Sequence, residues 1–332
     1  MSQLNDDLDL TNDFDLTNTI NRNMMIPRYI NSYTVEKIII ERESAVIVTA
    51  IHNESQKRVA LKFVPEVYFN DDLPSILRQM NHTNILPTYD IFGFPDDGSP
   101  RFHCISMPFI ESDLQHYFHH TCSRSLSEME VCQIMEEILN AIFYIHSIGI
   151  CHMDLKLSNV LVEKKKTRLK PFLIDFDFSY QIENGCYAIV EPRGTLNYAA
   201  PELLQSTQLA FKPQAWINNK VDIWSSGVIM TYLLIGRNPF EFRKTNDTIN
   251  SIMCGISEGD HRIVNLSPNA RDLISRMLCT NPDARIDVDE ALNHKWFTVD
   301  LQNYRMKHPE TMDDYINDEI PTGIYDEIPA EI

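Results

Sequence analysis

His152-Met153-Asp154-Leu155-Lys156-Leu157-Ser158-Asn159 is the stretch on which the reading of this chain turns. A Lys follows the Asp at two residues and an Asn at five, so one loop carries a carboxylate, a cation and an amide. Sixteen residues beyond Asn159 comes Asp175-Phe176-Asp177, after the apolar run Phe172–Ile174, and later Ala200-Pro201-Glu202. Moving a phosphoryl group needs this inventory. One Asp takes the proton of the attacking hydroxyl, Lys neutralises charge on the moving group, and Asn with a second Asp holds magnesium. A charged surface turn explains any one of these residues but not their order and spacing.

Working outward, the β-branched runs TVEKIII, AVIVTAI and RVALKFV between residues 33 and 64 read as successive antiparallel strands. A short helical stretch follows near 72–80, then strand-like runs at 84–92 and 102–107. From Leu114 the chain turns helical. Residues 128–146 place Val131, Ile134, Met135, Ile138, Ile142 and Ile145 at helical spacing, with Ser127 and Glu130 forming a capping box. Further helices are expected near 221–235, 267–279 and 287–294. A strand-rich part followed by a larger helical part is an α+β arrangement.

The chain has 332 residues, 43% of them hydrophobic, enough for a sizeable core. Its formal charge of −18 argues against nucleic-acid binding through phosphate neutralisation. Much of that charge is terminal: residues 1–23 hold five Asp against one Arg, and residues 300–332 hold nine acidic against two basic side chains. Both ends carry short repeats, Asp-Leu-Thr-Asn at 9–12 and 15–18 and Asp-Glu-Ile-Pro at 318–321 and 326–329. They read as solvated tails, or as acidic docking peptides for a protein partner. Seven cysteines without a CxxC pair point to reduced thiols, not to a disulfide framework or zinc site. The first residues lack the basic and apolar blocks of a secretory signal, and no apolar run is long enough for a bilayer. The expectation is a soluble cytoplasmic protein with no membrane partner.

On these residues the chain, from about Tyr33 to Phe297, resembles the eukaryotic protein kinase family. The resemblance implies a bilobal kinase fold: a small antiparallel N-lobe with helix αC over 24–108, a larger mainly helical C-lobe over 109–299, and flanking tails. It also implies ATP and Mg²⁺ as cofactors and a protein substrate. Val59-Ala60-Leu61-Lys62 matches the lysine motif, so Lys62 is expected on the α- and β-phosphates. Asp154 matches the catalytic base, Lys156 its lysine, and Asn159 and Asp175 the metal ligands. Ile105-Ser106-Met107-Pro108-Phe109-Ile110 aligns with the hinge, with Met107 as gatekeeper, the Pro108 carbonyl and Ile110 amide facing adenine, and Asp113 meeting the ribose. Ile40, Val48, Ala60 and Leu161 are expected to sandwich the adenine ring. Glu202 and Arg285 look like the family's buried ion pair, and Asp222 its central-helix aspartate. Lys156 with Thr195 is similar to serine/threonine kinases. The strings NYAAPE and NPDARIDVDEALNHKWF look closest to the calcium/calmodulin-dependent and AMP-activated group. Ser158 and Tyr232 stand where basophilic members of that group often carry acids.

Four departures cut against the family pattern. Glu41, Glu43 and Val46 fall on the three positions of the glycine-rich loop, where a Cβ-free backbone should approach phosphates. The αC glutamate slot is Leu73, with Asp72 beside it and Pro74 after it. Met153 replaces the arginine that grips an activation-loop phosphate, and the usual phosphosite is Glu191. Asp177 replaces a glycine. The expectation is therefore a serine/threonine kinase not switched by activation-loop phosphorylation. Its alternative is a pseudokinase scaffold with weak or no nucleotide binding.

Overall fold

The computed structural model of the protein describes residues 26, 28–94, 102–122, 126–182, 187–189, 194–208, 215–312 and 315. The two repeats and Glu191 lie outside them. The chain divides into two compact units that part between Ile110 and Glu111.

The first unit is built on one antiparallel sheet. Its strands are β1 (Tyr29–Ile30), β2 (Tyr33–Glu41), β3 (Val46–His52), β4 (Arg58–Pro65), β5 (Asp90–Phe94) and β6 (Phe102–Pro108), in the order β1-β2-β3-β4-β6-β5. Strand β4 lies inside the sheet and is buried at every residue but Arg58. Val46, Val48 and Ala50 of β3 pack with Val59, Leu61 and Phe63 of β4 and with Phe102 and Cys104 of β6 in a single hydrophobic cluster. On β3 and β4 these are every second residue, as the two-residue period of a pleated strand requires. The helix expected near 72–80 is a stub, α1 (Leu73–Arg78), with Pro74 in its first turn.

The second unit is mainly helical. It opens with β7 (Ser112–Asp113) and α2 (Leu114–His116), which runs on as a π-helical turn Tyr117–Thr121, and continues with α3 (Glu128–Ser147). Next come β8 (Ile150–Cys151), β9 (Val160–Lys164), β10 (Leu169–Leu173), β11 (Tyr180–Gln181) and β12 (Tyr187–Ile189). Then follow α4 (Pro201–Gln208), β13 (Ala215–Ile217), α5 (Lys220–Ile235), α6 (Thr245–Cys254), α7 (Pro268–Met277), α8 (Val288–Leu292) and α9 (Gln302–Lys307). Helix α3 starts at the expected capping box: Ser127 Oγ accepts from the Glu130 amide at 3.2 Å, and Glu130 accepts from the Ser127 amide at 2.7 Å. Its six apolar residues named from periodicity are all buried. Helix α5 is buried on every side from Val221 to Leu233, so its one acid, Asp222, must be satisfied inside the protein.

Residues 300–312, expected as part of a tail, carry helix α9. Trp296 Nε1 donates to Glu128 at 3.0 Å, and Arg305 on α9 grips Glu136 of α3 at 3.0 and 2.6 Å. The chain is thus tied to α3 well past residue 300. No helix among the described residues is long and apolar enough to cross a membrane.

Candidate active site

The catalytic stretch bends out of β8, and its shape is fixed from below by Asp222. That carboxylate accepts the amides of His152 and Met153 at 2.9 Å each and bonds His146 Nε2 at 2.9 Å, with the Cys151 thiol at 3.3 Å. Burial opposes its ionisation, but the hydrogen bond and charge of His146, then His152, outweigh it and hold Asp222 below its ordinary range. The two amides matter because Met153 sits at φ +73°, a left-handed conformation that costs roughly 1–2 kcal/mol in a non-glycine residue. Opposite it, Gly194 lies at φ +102°, and a Cβ there would stand 2.8 Å from the Met153 carbonyl oxygen. Only glycine lets the later segment come this close.

That approach delivers Thr195 to Asp154. Asp154 Oδ1 accepts the Thr195 amide at 3.0 Å and its hydroxyl at 2.9 Å. Oδ2 accepts Asn159 Nδ2 at 3.1 Å and pairs with Lys156 Nζ at 3.0 Å, while Lys156 also donates to Thr195 Oγ1 at 2.9 Å. Asn159 Nδ2 further donates to the Asp154 carbonyl at 2.8 Å. Both recorded bonds of the Asn159 side chain thus use its nitrogen, which suits its oxygen to a hard cation such as magnesium. The structure brings together Asp154, Lys156 and Asn159 as expected, with Thr195 as the fourth member.

Asp175 follows β10 at φ +67° and is half-buried. The backbone before it is held by two bonds to the catalytic stretch: Ile174 N–H donates to the Asn159 carbonyl at 3.1 Å, and His152 Nε2 meets the Ile174 carbonyl at 2.9 Å. Phe176 is buried against His152, with ring centroids 4.8 Å apart. Asp177 enters a turn closed by Ser179 N–H on the Phe176 carbonyl at 3.0 Å, without a positive φ, so glycine is not required there. Asp113 and Leu161 are cross-strand partners in the β7–β9 pair. Asp113 also caps α2, accepting the His116 amide at 2.8 Å.

Farther down this unit, Arg285 forks onto Glu202 at 2.7 and 2.9 Å, donates to the Cys279 and Lys220 carbonyls, and lies 5.1 Å over the Trp224 ring. The ion pair expected from the resemblance is present, with Arg285 buried and Glu202 partly so.

In the sheet unit, register decides which residues share a face with Lys62. Lys62 pairs with Ile47, and Ile47 with Ile40. Ala60 pairs with Met107, and Lys62 with Ile105. Directly paired residues point to one side of a sheet, so Ile40, Ile47, Ala60, Lys62 and Met107 share a face. Val48 does not. It pairs with Leu61 and is fully buried in the cluster on the opposite side. On β3 the face that carries Lys62 therefore holds the half-buried Ile47, and not Val48 as expected. The β3–β4 register sets this, since it places Ile47 and not Val48 across from Lys62. At the other edge of β3, Glu41 pairs with Val46, leaving four residues closed by Arg42 N–H on the Ala45 carbonyl at 2.9 Å.

The same register answers what the two glutamates do. Glu41 shares its face with Val46, opposite Lys62. Glu43 accepts a hydrogen bond from Tyr68 at 3.1 Å, whose phenol is pushed above its ordinary value by partial burial and then by Glu43. In the αC slot, Leu73 is buried and Asp72 is exposed. Pro108 ends β6, and Ile110 is the last residue of the unit; both are half-buried.

Comparison with known proteins agrees with this architecture. The protein kinase domain matches residues 33–297, so the chain belongs to the protein kinase family. It is 29% identical over 289 residues to Protein kinase domain-containing protein ppk9 of Schizosaccharomyces pombe, covering 83% of this chain and 49% of that protein. It is 30% identical to Carbon catabolite-derepressing protein kinase of Saccharomyces cerevisiae over 85% of this chain and 43% of that protein. With Calcium-dependent protein kinase 5 of Plasmodium berghei the identity is 30%, over 78% of this chain and 44% of that protein. The chain spans less than half the length of each of these three relatives.

Proposed function

We propose that the protein is a serine/threonine kinase that transfers the γ-phosphoryl of ATP to a hydroxyl of a protein substrate. The observation that carries this is the Asp154 carboxylate, buried and oriented by Thr195, Asn159 and Lys156 together. Asp154 takes the proton of the acceptor hydroxyl, and Lys156 offsets charge on the phosphoryl in transfer. Asn159 through its oxygen and Asp175 through its carboxylate would hold Mg²⁺, which when bound neutralises the phosphates. Lys62 contacts the α- and β-phosphates. Ile40, Ile47, Ala60 and Leu161 hold the adenine ring, the Pro108 carbonyl and Ile110 amide read its edge, and Asp113 meets the ribose.

Neither glutamate of the β2–β3 hairpin opposes this. A carboxylate ~5 Å from a phosphate would cost about 3 kcal/mol at an effective dielectric near 20. Glu41 shares the face opposite Lys62 and Glu43 is bonded to Tyr68, which supports carboxylates directed away from the phosphates. The relatives' names, a calcium-dependent and a carbon catabolite-derepressing kinase, support the group read from the sequence. Reduced thiols favour the cytoplasm, and the acidic ends are docking segments for a protein substrate or partner.

The pseudokinase alternative has one observation in its favour, the buried Leu73 where αC should offer a glutamate. Thermal stabilisation by ATP with and without Mg²⁺, in the wild type and in Lys62→Met, separates the two. Ligand at about 100 times its Kd adds roughly 2.7 kcal/mol. A kinase shows a metal-dependent rise in Tm that Lys62→Met loses. No rise at millimolar ATP would leave the scaffold.

A further inference from the structure

Thr195 reaches Asp154 on a segment that starts at Asp175, and something must hold that segment in place. A phosphate on it would need a cationic receiver beside the catalytic aspartate, but that position is Met153, an apolar buried side chain. What the structure offers instead is a backbone partner. Strand β12 of the segment pairs antiparallel with β13, with Tyr187 opposite Ile217, Ala188 opposite Trp216 and Ile189 opposite Ala215.

Strand β13 is itself anchored. It lies between α4 and α5, in the stretch joining Glu202, paired with Arg285, to Asp222, the hub beneath the catalytic loop. Ile217 is 2% exposed, and α5 begins three residues later at Lys220. A ladder to this strand ties the segment to the same buried helix that shapes the Met153–Asp154 backbone. Both ends of the Thr195–Asp154 contact are then referred to α5.

We infer that β13 is a positioning strand for phosphoryl transfer: its ladder with β12 holds the segment so that Thr195 stays on Asp154 without phosphorylation. This rests on the kinase reading above. Nothing in it touches ATP, so the strand acts on presentation of the acceptor and not on nucleotide affinity.

The test uses the full chain and two proline variants on neighbouring rungs, Ala215→Pro on β13 and Ala188→Pro on β12. Opposed residues in an antiparallel pair alternate between exchanging both ladder bonds and exchanging none, so one of these two variants removes a ladder donor. Trp216→Ala keeps the donor and serves as control. Hydrogen exchange of peptides covering 187–189 is read beside steady-state kinetics with ATP and dephosphorylated casein. Protection at 187–189 is expected to fall at least tenfold in the proline variant that removes the donor. In that variant kcat/KM for casein falls at least tenfold with KM for ATP within twofold, and Trp216→Ala resembles the wild type. Phosphatase treatment of the wild type leaves its rate within twofold.

Unprotected 187–189 amides in the wild type would overturn the inference, as would a proline variant that loses protection and keeps its casein rate. A rate abolished by phosphatase, or Trp216→Ala matching that proline variant, would do so too. Absence of transfer by the wild type, with 187–189 protected, would instead overturn the kinase reading and the positioning role with it. Should that proline variant fail to fold, protection at 187–189 and the effect of phosphatase, both read on the wild type, carry the test.

Discussion

On the kinase reading proposed above, the β2–β3 hairpin and the catalytic loop serve one reaction, yet the hairpin departs from the family's residues far more than the loop does. The hairpin has no glycines. Its backbone carries Glu41, Glu43 and Val46, with Val46 buried in the sheet core and Glu43 tied to Tyr68. The catalytic loop keeps every chemistry-bearing side chain, and each is held by at least one buried hydrogen bond converging on Asp154 or Asp222. The difference teaches where substitution is tolerated. A loop that covers phosphates acts through its backbone, so on the proposed reading the loss of glycine there weakens only one of several nucleotide contacts. In the loop around Asp154, side chains satisfy one another inside the protein, and removing any one withdraws a bond from a buried partner.

The largest effect should come from the catalytic loop. Asp154→Asn lowers kcat by ~10²–10⁴-fold, the range for losing a general base, with ATP-induced stabilisation retained. Steady-state transfer and melting curves on one preparation check both halves. Next, Arg285→Ala leaves the partly buried Glu202 without its guanidinium and should cost about 3 kcal/mol of stability in denaturant unfolding.

The two faces of β3 give a sharper contrast. Val48→Ala removes fully buried methyl groups and should cost about 1–2 kcal/mol without altering KM for ATP in the folded enzyme. Ile47→Ala should do the reverse, raising KM for ATP severalfold with a smaller loss of stability. If Val48→Ala raises KM and Ile47→Ala does not, the register assignment of the adenine face is wrong. Smallest of all, Tyr68→Phe releases Glu43 and should raise KM for ATP two- to threefold, while Glu43→Gln leaves it unchanged.

Acid should act through Asp222. Its folded-state pKa lies below the ordinary 3.8, so its contribution is complete above the unfolded value. It is lost as pH falls through the depressed folded value. Acid unfolding of wild type should therefore steepen below about pH 4, and Asp222→Asn should flatten that limb.

Much of the fold was legible because its signals are local. The Ser127–Glu130 capping box, the apolar spacing of α3 and the β-branched runs of β2, β3 and β4 all appear where periodicity puts them. The catalytic side chains were legible for a similar reason, being fixed residue types at fixed separations in one loop. The side of the sheet on which Val48 lies was not legible from the loop motif, because facing depends on the β3–β4 register and an alignment to the eight-position family loop does not supply it. The signal was available in the alternation of Val46, Val48 and Ala50, all apolar and all on the buried side. Pairing of β12 with β13 joins segments nearly thirty residues apart with no distinctive composition, and nothing local announces it. The stretch after residue 300 was obscured by its charge; Arg305 carries its structural role through an ion pair with Glu136.

The most direct measurement is transfer of labelled γ-phosphoryl from ATP with Mg²⁺ to dephosphorylated casein, for wild type and Asp154→Asn side by side. The predicted result is label on serine or threonine in the wild type, at least a hundredfold less in Asp154→Asn, and equal ATP stabilisation of both. Equal labelling by the two proteins, or ATP stabilisation with no transfer by the wild type, would contradict the claim that the intact catalytic loop works beneath a hairpin without glycine.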